Sequence, residues 1–202
     1  MREPAVVLTD LALAILGAVL GWRLRGTGAF ILGGLASAAF WGAIFHAFFP
    51  DRTSTALGFV AWLAVALSIM VVAAALFYMA LSVFVTRPPR AVVIAYCAVF
   101  LGVVLLVDES FSTIVLLYGP ILVLALVAAA VQAIRMRDRP WGIVAVGLTV
   151  SAAAALLQQA HVAIHPVYFD HNAVYHVVQA VALVLLYLGF QRVSRTDSAR
   201  RA

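Results

Sequence analysis

Seven long apolar runs divide this chain, and they leave few folds open to it. A helix needs about 20 apolar residues to cross the hydrocarbon of a bilayer. Candidate spans run from about Ala5 to Trp22, Gly28 to Phe49, Thr55 to Val85, Ala91 to Val107, Phe111 to Ile134, Pro140 to Ile164 and Asn172 to Val193. The breaks between them have clear causes. "RPPR" at 87–90 cannot continue a helix, because two prolines lack the amide donor and clash with the preceding turn. "RMRDRP" at 135–140 is a charged turn whose proline suits the first position of the next helix. "HPVYFDHN" breaks at Pro166, and Pro120 is expected to kink the fifth span. The expected fold class is all-α, a polytopic membrane protein of seven transmembrane helices. It forms a single domain over 1–193 and ends in a short, basic, frayed tail over 194–202.

Composition agrees. The chain is 66% hydrophobic and only 10% charged, where a soluble domain is about a quarter charged. Arg2 and Glu3 precede the first run, Arg23 and Arg25 follow it, and no small-residue cleavage site stands out between. The first run therefore reads as a retained helix and not a signal peptide. Cys97 is the only cysteine and sits inside an apolar run, where it reads as a small hydrophobe.

All thirteen basic residues are arginine. Without a lysine amine there is no retinal Schiff base, so that seven-helix chemistry is excluded. The arginines flank the spans, so the basic balance reads as membrane topology and no nucleic-acid partner is implied. Arg23, Arg25, Arg87, Arg90, Arg135, Arg137, Arg139, Arg192, Arg195, Arg200 and Arg201 fall on one side, against Arg2 and Arg52 on the other. The positive-inside rule then puts the N-terminus outside and the C-terminus in the cytoplasm, as in an integral protein of a bacterial inner membrane.

In that orientation all five histidines approach the extracytoplasmic side: His46 late in the second span, His161 and His165 late in the sixth, His171 and His176 opening the seventh. Asp51, Asp108, Glu109 and Asp170 join them. Asp10 in "VVLTDLALAIL" lies about 8 Å below the start of its helix. Asn172, His176 and Gln179 share one helix face, and Gln158, His161 and His165 form a second stripe. An ionisable residue this deep costs about 2.5–3.5 kcal/mol to insert and needs a partner. No basic residue lies in the membrane on that side, so a bound cation or a histidine is the natural partner for Asp10. Other roles compete. His161, His165 and His171 suit a solvated helix end or loop as well as a ligand role. Asp51 follows Pro50 and suits a turn, and Asp108 with Glu109 suits a solvated one.

Several neutral imidazoles with nearby carboxylates suit zinc. Three protein ligands and an open position make a catalytic zinc site, whose water is activated by the metal and deprotonated by a nearby carboxylate. The expected ligands are His46 and His176 with one of His171, His161 or His165, and Asp10 or Asp51 is the base. "HVAIH" has the i, i+4 spacing that lets two imidazoles share a metal. Asn172, Gln179 and Gln158 are expected to bind beside it.

These residues resemble the CREST membrane hydrolases, the superfamily of alkaline ceramidases and the progestin/adiponectin receptor group. Its pattern has a serine four residues before a second-span histidine, an aspartate soon after, and two seventh-span histidines four apart. His46 and His176 match. Asn172 stands where the other late histidine is expected, with His171, His161 or His165 as substitutes. Gly42 stands at the serine position, and Asp51 is a looser match to the aspartate. The resemblance implies a zinc site and hydrolysis of a lipid amide such as that of ceramide, with membrane lipid as substrate.

Two other readings stay open. His46 and His176 could ligate a haem b iron axially. Alternatively, the polar layer could bind a small solute for transport or sensing, with histidines responding to pH; the inverted repeats usual in transporters are not visible. Such a chain can also assemble as a homo-oligomer.

Overall fold

The structure is a computed structural model that describes residues 4–49, 55–137, 139–165 and 169–201, the backbone alone over 195–201. It is all-α. The described residues form α1 (Pro4–Trp22), α2 (Thr27–Phe48), α3 (Ala56–Phe84), α4 (Arg90–Leu106), α5 (Phe111–Met136), α6 (Arg139–Gln159) and α7 (His171–Arg201). Six of these are long and apolar enough to cross a bilayer, so this is an integral membrane protein. α4 has 17 residues. At 1.5 Å each that is about 25 Å, short of the roughly 30 Å hydrocarbon core.

Packing separates α4 from the rest. Neighbouring pairs α1–α2, α2–α3, α3–α5, α5–α6, α6–α7 and α7–α1 close into a ring. α4 lies outside that ring against α3 and α5, burying only Phe100 and Val104 fully. The ring interior is rich in small residues: Ala73, Ala80, Ala125, Ala128, Ala129 and Ala182 are fully buried. Leu8, Ile15, Phe30, Leu116 and Val123 point outward and exposed, as side chains do where lipid replaces water. Between helices in lipid, close approach and polar contacts supply the attraction. The α2–α3 seam has both. A Cβ on Gly34 would meet Val72 Cγ2 at 2.6 Å, so only glycine fits there. One turn away Ser37 and Ser68 join through their hydroxyls at 2.8 Å.

Most boundaries fall within two residues of the expected ones. α5 runs through Pro120 as one helix. α7 continues to Arg201, past the expected end of its span, because no glycine or proline follows Gly189 to stop it. The tail expected to fray is thus helical backbone as far as Arg201.

The sixth span departs most. α6 ends at Gln159, five residues before the expected Ile164. His161 takes a left-handed conformation, φ 52°. Val162 N–H then donates to Leu157 O (3.0 Å) and His161 N–H to Gln158 O (3.1 Å). This is the glycine-type helix stop, formed here by a histidine. The chain beyond doubles back, with His165 and Phe169 exchanging backbone hydrogen bonds at 3.0 Å. The shared helix face expected for His161 and His165 is therefore not formed.

Candidate functional site

A cavity of about 480 Å³ opens at the end of the ring where α2, α6 and α7 bring their histidines. Asp10, Gly42, His46, Gln158, His161, His171, Asn172 and His176 all line it. With Trp62 of α3 and Phe111 of α5, residues from six of the seven helices meet there, together with the turn after α6.

The floor is the α1–α7 seam. Asp10 and His176 are 3% and 8% exposed. His176 Nε2 stands 3.0 Å from Asp10 Oδ1, and on the other side of the ring Nδ1 stands 2.9 Å from Thr9 Oγ1. Thr9 also reaches back along its own helix to Ala5 O (2.9 Å) and Val6 O (3.0 Å). Both nitrogens of the deepest histidine are thus held by consecutive residues of α1. The expectation that Asp10 needs a histidine or a cation is met by His176. The carboxyl that the sequence offered as one of two candidate bases lines the cavity and faces this imidazole.

Gly42 has a physical explanation. A Cβ there would lie 3.0 Å from Asp10 Oδ2. At the position where a serine was expected, any side chain would crowd the carboxyl packed against it. His46 follows one turn later on α2, half-buried and facing the same cavity.

The mouth is built differently. Gln158 Nε2 donates to Asn172 Oδ1 (3.2 Å) and Gln159 Nε2 to Gln158 Oε1 (3.2 Å), a chain of amides from α6 to α7. His161 and His171 stack edge to face with ring centroids 4.5 Å apart. His161 is exposed and His171 half-buried. Asp170 caps α7, accepting from Ala173 N–H at 2.9 Å. Across the opening, Trp62 donates to the backbone carbonyl of Glu109 at 2.6 Å, tying α3 to the α4–α5 turn. In that turn Asp108 is exposed and accepts from the Ser110 hydroxyl (2.6 Å), the Thr113 hydroxyl and the Ser110 N–H (3.0 Å). The Ser110 hydroxyl first, then Thr113 and the Ser110 amide, hold its carboxyl below the usual carboxylate range.

Two expected members of the site are placed elsewhere, and a third is not among the described residues. Gln179 is buried deeper, donating to Ser151 Oγ of α6 at 3.1 Å; its i+7 position carries it a full turn below the cavity floor. His165 is exposed in the loop that the early end of α6 creates. Asp51 lies outside the described residues. Among the described residues, no three His, Cys, Asp or Glu side chains stand close enough to enclose a metal ion. The multi-histidine cluster expected from the sequence is thus resolved into a deep Asp10–His176 pair, a half-buried His46 and a stacked pair at the mouth.

Thr9, Trp62 and Tyr175 are cavity or floor residues that the sequence reading passed over. Thr9 carried a signal, being a second polar residue beside Asp10 in an otherwise apolar run. Trp62 and Tyr175 carried none that separates them from ordinary helix aromatics.

The model of a family of unknown function, DUF6962, matches residues 5–195, nearly the whole chain, and the protein belongs to that family. No curated protein and no solved structure matches it.

Proposed function

We propose that this protein is a metal-dependent membrane hydrolase that cleaves a lipid amide or ester at the extracytoplasmic face. The observation that carries the reading is the buried Asp10–His176 contact at the floor of a cavity that His46 also lines. Two ligands of a tetrahedral zinc, each about 2.0–2.1 Å from the metal, stand about 3.3 Å apart. The 3.0 Å between Nε2 and Oδ1 is close to that separation, so a small cation fits between them with little rearrangement. His176 and Asp10 would be two ligands and His46, drawn in across the cavity, the third. Asp10 then acts as ligand, in place of the histidine that Asn172 replaces in the CREST pattern. Bound zinc would polarise a carbonyl and activate water at neutral pH.

The chain's own residues supply the rest. The Gln158–Asn172 amides and the His161–His171 pair offer hydrogen bonds to a polar headgroup at the mouth. Phe45, Trp62 and Phe111 give the opposite wall an apolar surface for hydrocarbon. Asp51, next in the chain beyond α2, remains a candidate base. Seven spans with the N-terminus outside, the reading that the arginine asymmetry supports, would put the cavity on the extracytoplasmic side of a bacterial inner membrane.

A bis-histidine haem fits less well, because an iron on His176 Nε2 would have to displace the Asp10 carboxyl now facing it. A solute-binding role would use the same cavity without the metal.

The test is metal content by mass spectrometry of purified wild type against Asp10→Asn, His176→Ala and His46→Ala, with hydrolysis of ceramide and of a simple lipid ester measured beside it. About one zinc per chain in wild type, lost in all three variants along with hydrolysis, is expected. Wild type without zinc, or variants with undiminished zinc, overturns the reading. A Soret band would turn it to haem.

A further inference from the structure

The floor of the cavity contains a hydrogen-bond problem with one good solution. Thr9 Oγ1 has a single proton and three close neighbours: Ala5 O at 2.9 Å, Val6 O at 3.0 Å and His176 Nδ1 at 2.9 Å. The two carbonyls can only accept. If the hydroxyl proton pointed at Nδ1, both carbonyls would face the hydroxyl oxygen lone pair to lone pair. In an apolar run with little water to intervene, that arrangement is costly. With the proton on a carbonyl, the hydroxyl is free to accept, and Nδ1 must be the donor. This back-bond is a common habit of threonine inside a helix.

We infer that Thr9 is a positioning residue that fixes His176 with its proton on Nδ1, so that Nε2 presents its lone pair to Asp10. The consequence sits on the other side of the ring. An Nε2 lone pair 3.0 Å from a carboxyl oxygen is favourable only with a positive centre between them, a hydrogen or a cation. Histidines that bind metals through one ring nitrogen donate the other N–H to a fixed partner, which orients the ring and sets the tautomer. Thr9 occupies that partner's place, on the helix that also supplies Asp10. One turn of α1 therefore contributes both the group facing Nε2 and the group selecting it. Gly42 leaves room for the carboxyl, since a Cβ there would stand 3.0 Å from Asp10 Oδ2.

The tautomer stands on geometry alone; its use toward a metal rests on the function proposed above, and the two are tested separately. Metal-free protein labelled with ¹⁵N-histidine, in lipid nanodiscs, is compared by NMR for wild type, Thr9→Val and Thr9→Ser, with His176→Gln assigning the resonances. Wild type and Thr9→Ser are expected to show a protonated Nδ1 on His176, and Thr9→Val to lose that signature. An unprotonated Nδ1 in wild type overturns the assignment, as does an unchanged spectrum in folded Thr9→Val. If Thr9→Val fails to fold, the wild-type and Thr9→Ser spectra still decide. Zinc titration of the same samples reads the second part. Affinity is expected to fall about 10–100-fold in Thr9→Val and to recover in Thr9→Ser. Wild type that binds no zinc but keeps Nδ1 protonated removes the proposed hydrolase and leaves the tautomer lock standing. Zinc affinity unchanged in Thr9→Val removes the positioning role.

Discussion

Asp10 and Asp108 are both carboxylates near the same end of the bundle, and the fold treats them in opposite ways. Asp108 sits in an exposed turn and collects three donors from Ser110 and Thr113, all within five residues. Asp10 is 3% exposed and faces a histidine from the far end of the chain. The first arrangement is local, redundant and backed by water. The second spans two helices, and both partners are almost wholly buried. Breaking a local cluster at the surface costs little, whereas removing one member of a buried pair strands the other. The two regions should therefore differ sharply in what mutation does to them.

The largest expected effect follows directly. Asp10→Ala leaves His176 Nε2 without its partner and should destabilise the folded protein by about 3 kcal/mol, the lower end for breaking a buried pair. Reversible denaturation in mixed detergent micelles measures it. The double variant Asp10→Leu with His176→Leu removes both partners and should recover most of that loss, since a buried pair exchanged for packed apolar groups is often neutral or better. If the double variant is as unstable as the single one, the seam is held by something other than this contact. Alanine at His161 in the mouth should stay within about 0.5 kcal/mol of wild type.

Gln179 extends the comparison below the cavity. Its amide donates to Ser151 Oγ, and both side chains are buried. Gln179→Leu should cost about 1 kcal/mol, because polar contacts between helices in lipid are worth about that much. The loss should appear in denaturation while zinc binding stays as in wild type. A matching loss of zinc would draw Gln179 back into the site where its spacing had suggested it belonged.

The spans could be read from the chain because apolar length and proline placement are local properties. Gathering His46, His161, His171 and His176 at one end was also legible, because alternating spans fix which helix ends share a side. What could not be read is which of those residues touch. His161 and His165 look like helix neighbours until a left-handed residue stops α6, and nothing in "QQAHVAIH" announces a histidine in a glycine's place. Asp10 advertised its need for a partner, but the choice of His176 depends on α1 closing the ring against α7, a contact set by packing over the whole bundle. The bare Gly42 looked like a lost serine; only Asp10 beside it shows that a side chain there would crowd the carboxyl.

That last contact supports a finer experiment. Gly42→Ala improves helix propensity by up to about 1 kcal/mol. The new Cβ, 3.0 Å from Asp10 Oδ2, must also push the carboxyl aside. The two effects oppose, so stability should change by less than about 1 kcal/mol. Zinc affinity has no such compensation and should fall about tenfold or more, as when a ligand's supporting contact is disturbed. Stability and affinity falling together would mean that the glycine serves packing alone.

The smallest effect belongs to Asp108, and its pH dependence tests the local side of the comparison. Ser110, Thr113 and the Ser110 amide favour the ionised carboxyl, so its folded pKa lies below the ordinary value of about 3.9. For a depressed carboxyl, the stabilisation is fully present above the unfolded pKa. It is lost as pH falls through the folded one. Asp108→Asn keeps an acceptor but no charge, so it should be slightly less stable than wild type at neutral pH. Below about pH 4 the gap should narrow and then close as Asp108 itself is protonated. Thermal melts of both proteins across that range give the measurement. A gap that widens in acid would mean that the turn works against the charge. A gap as large as that of Asp10→Ala would mean that the α4–α5 turn is no local cluster and that the Trp62 bond to Glu109 O couples it to the whole ring.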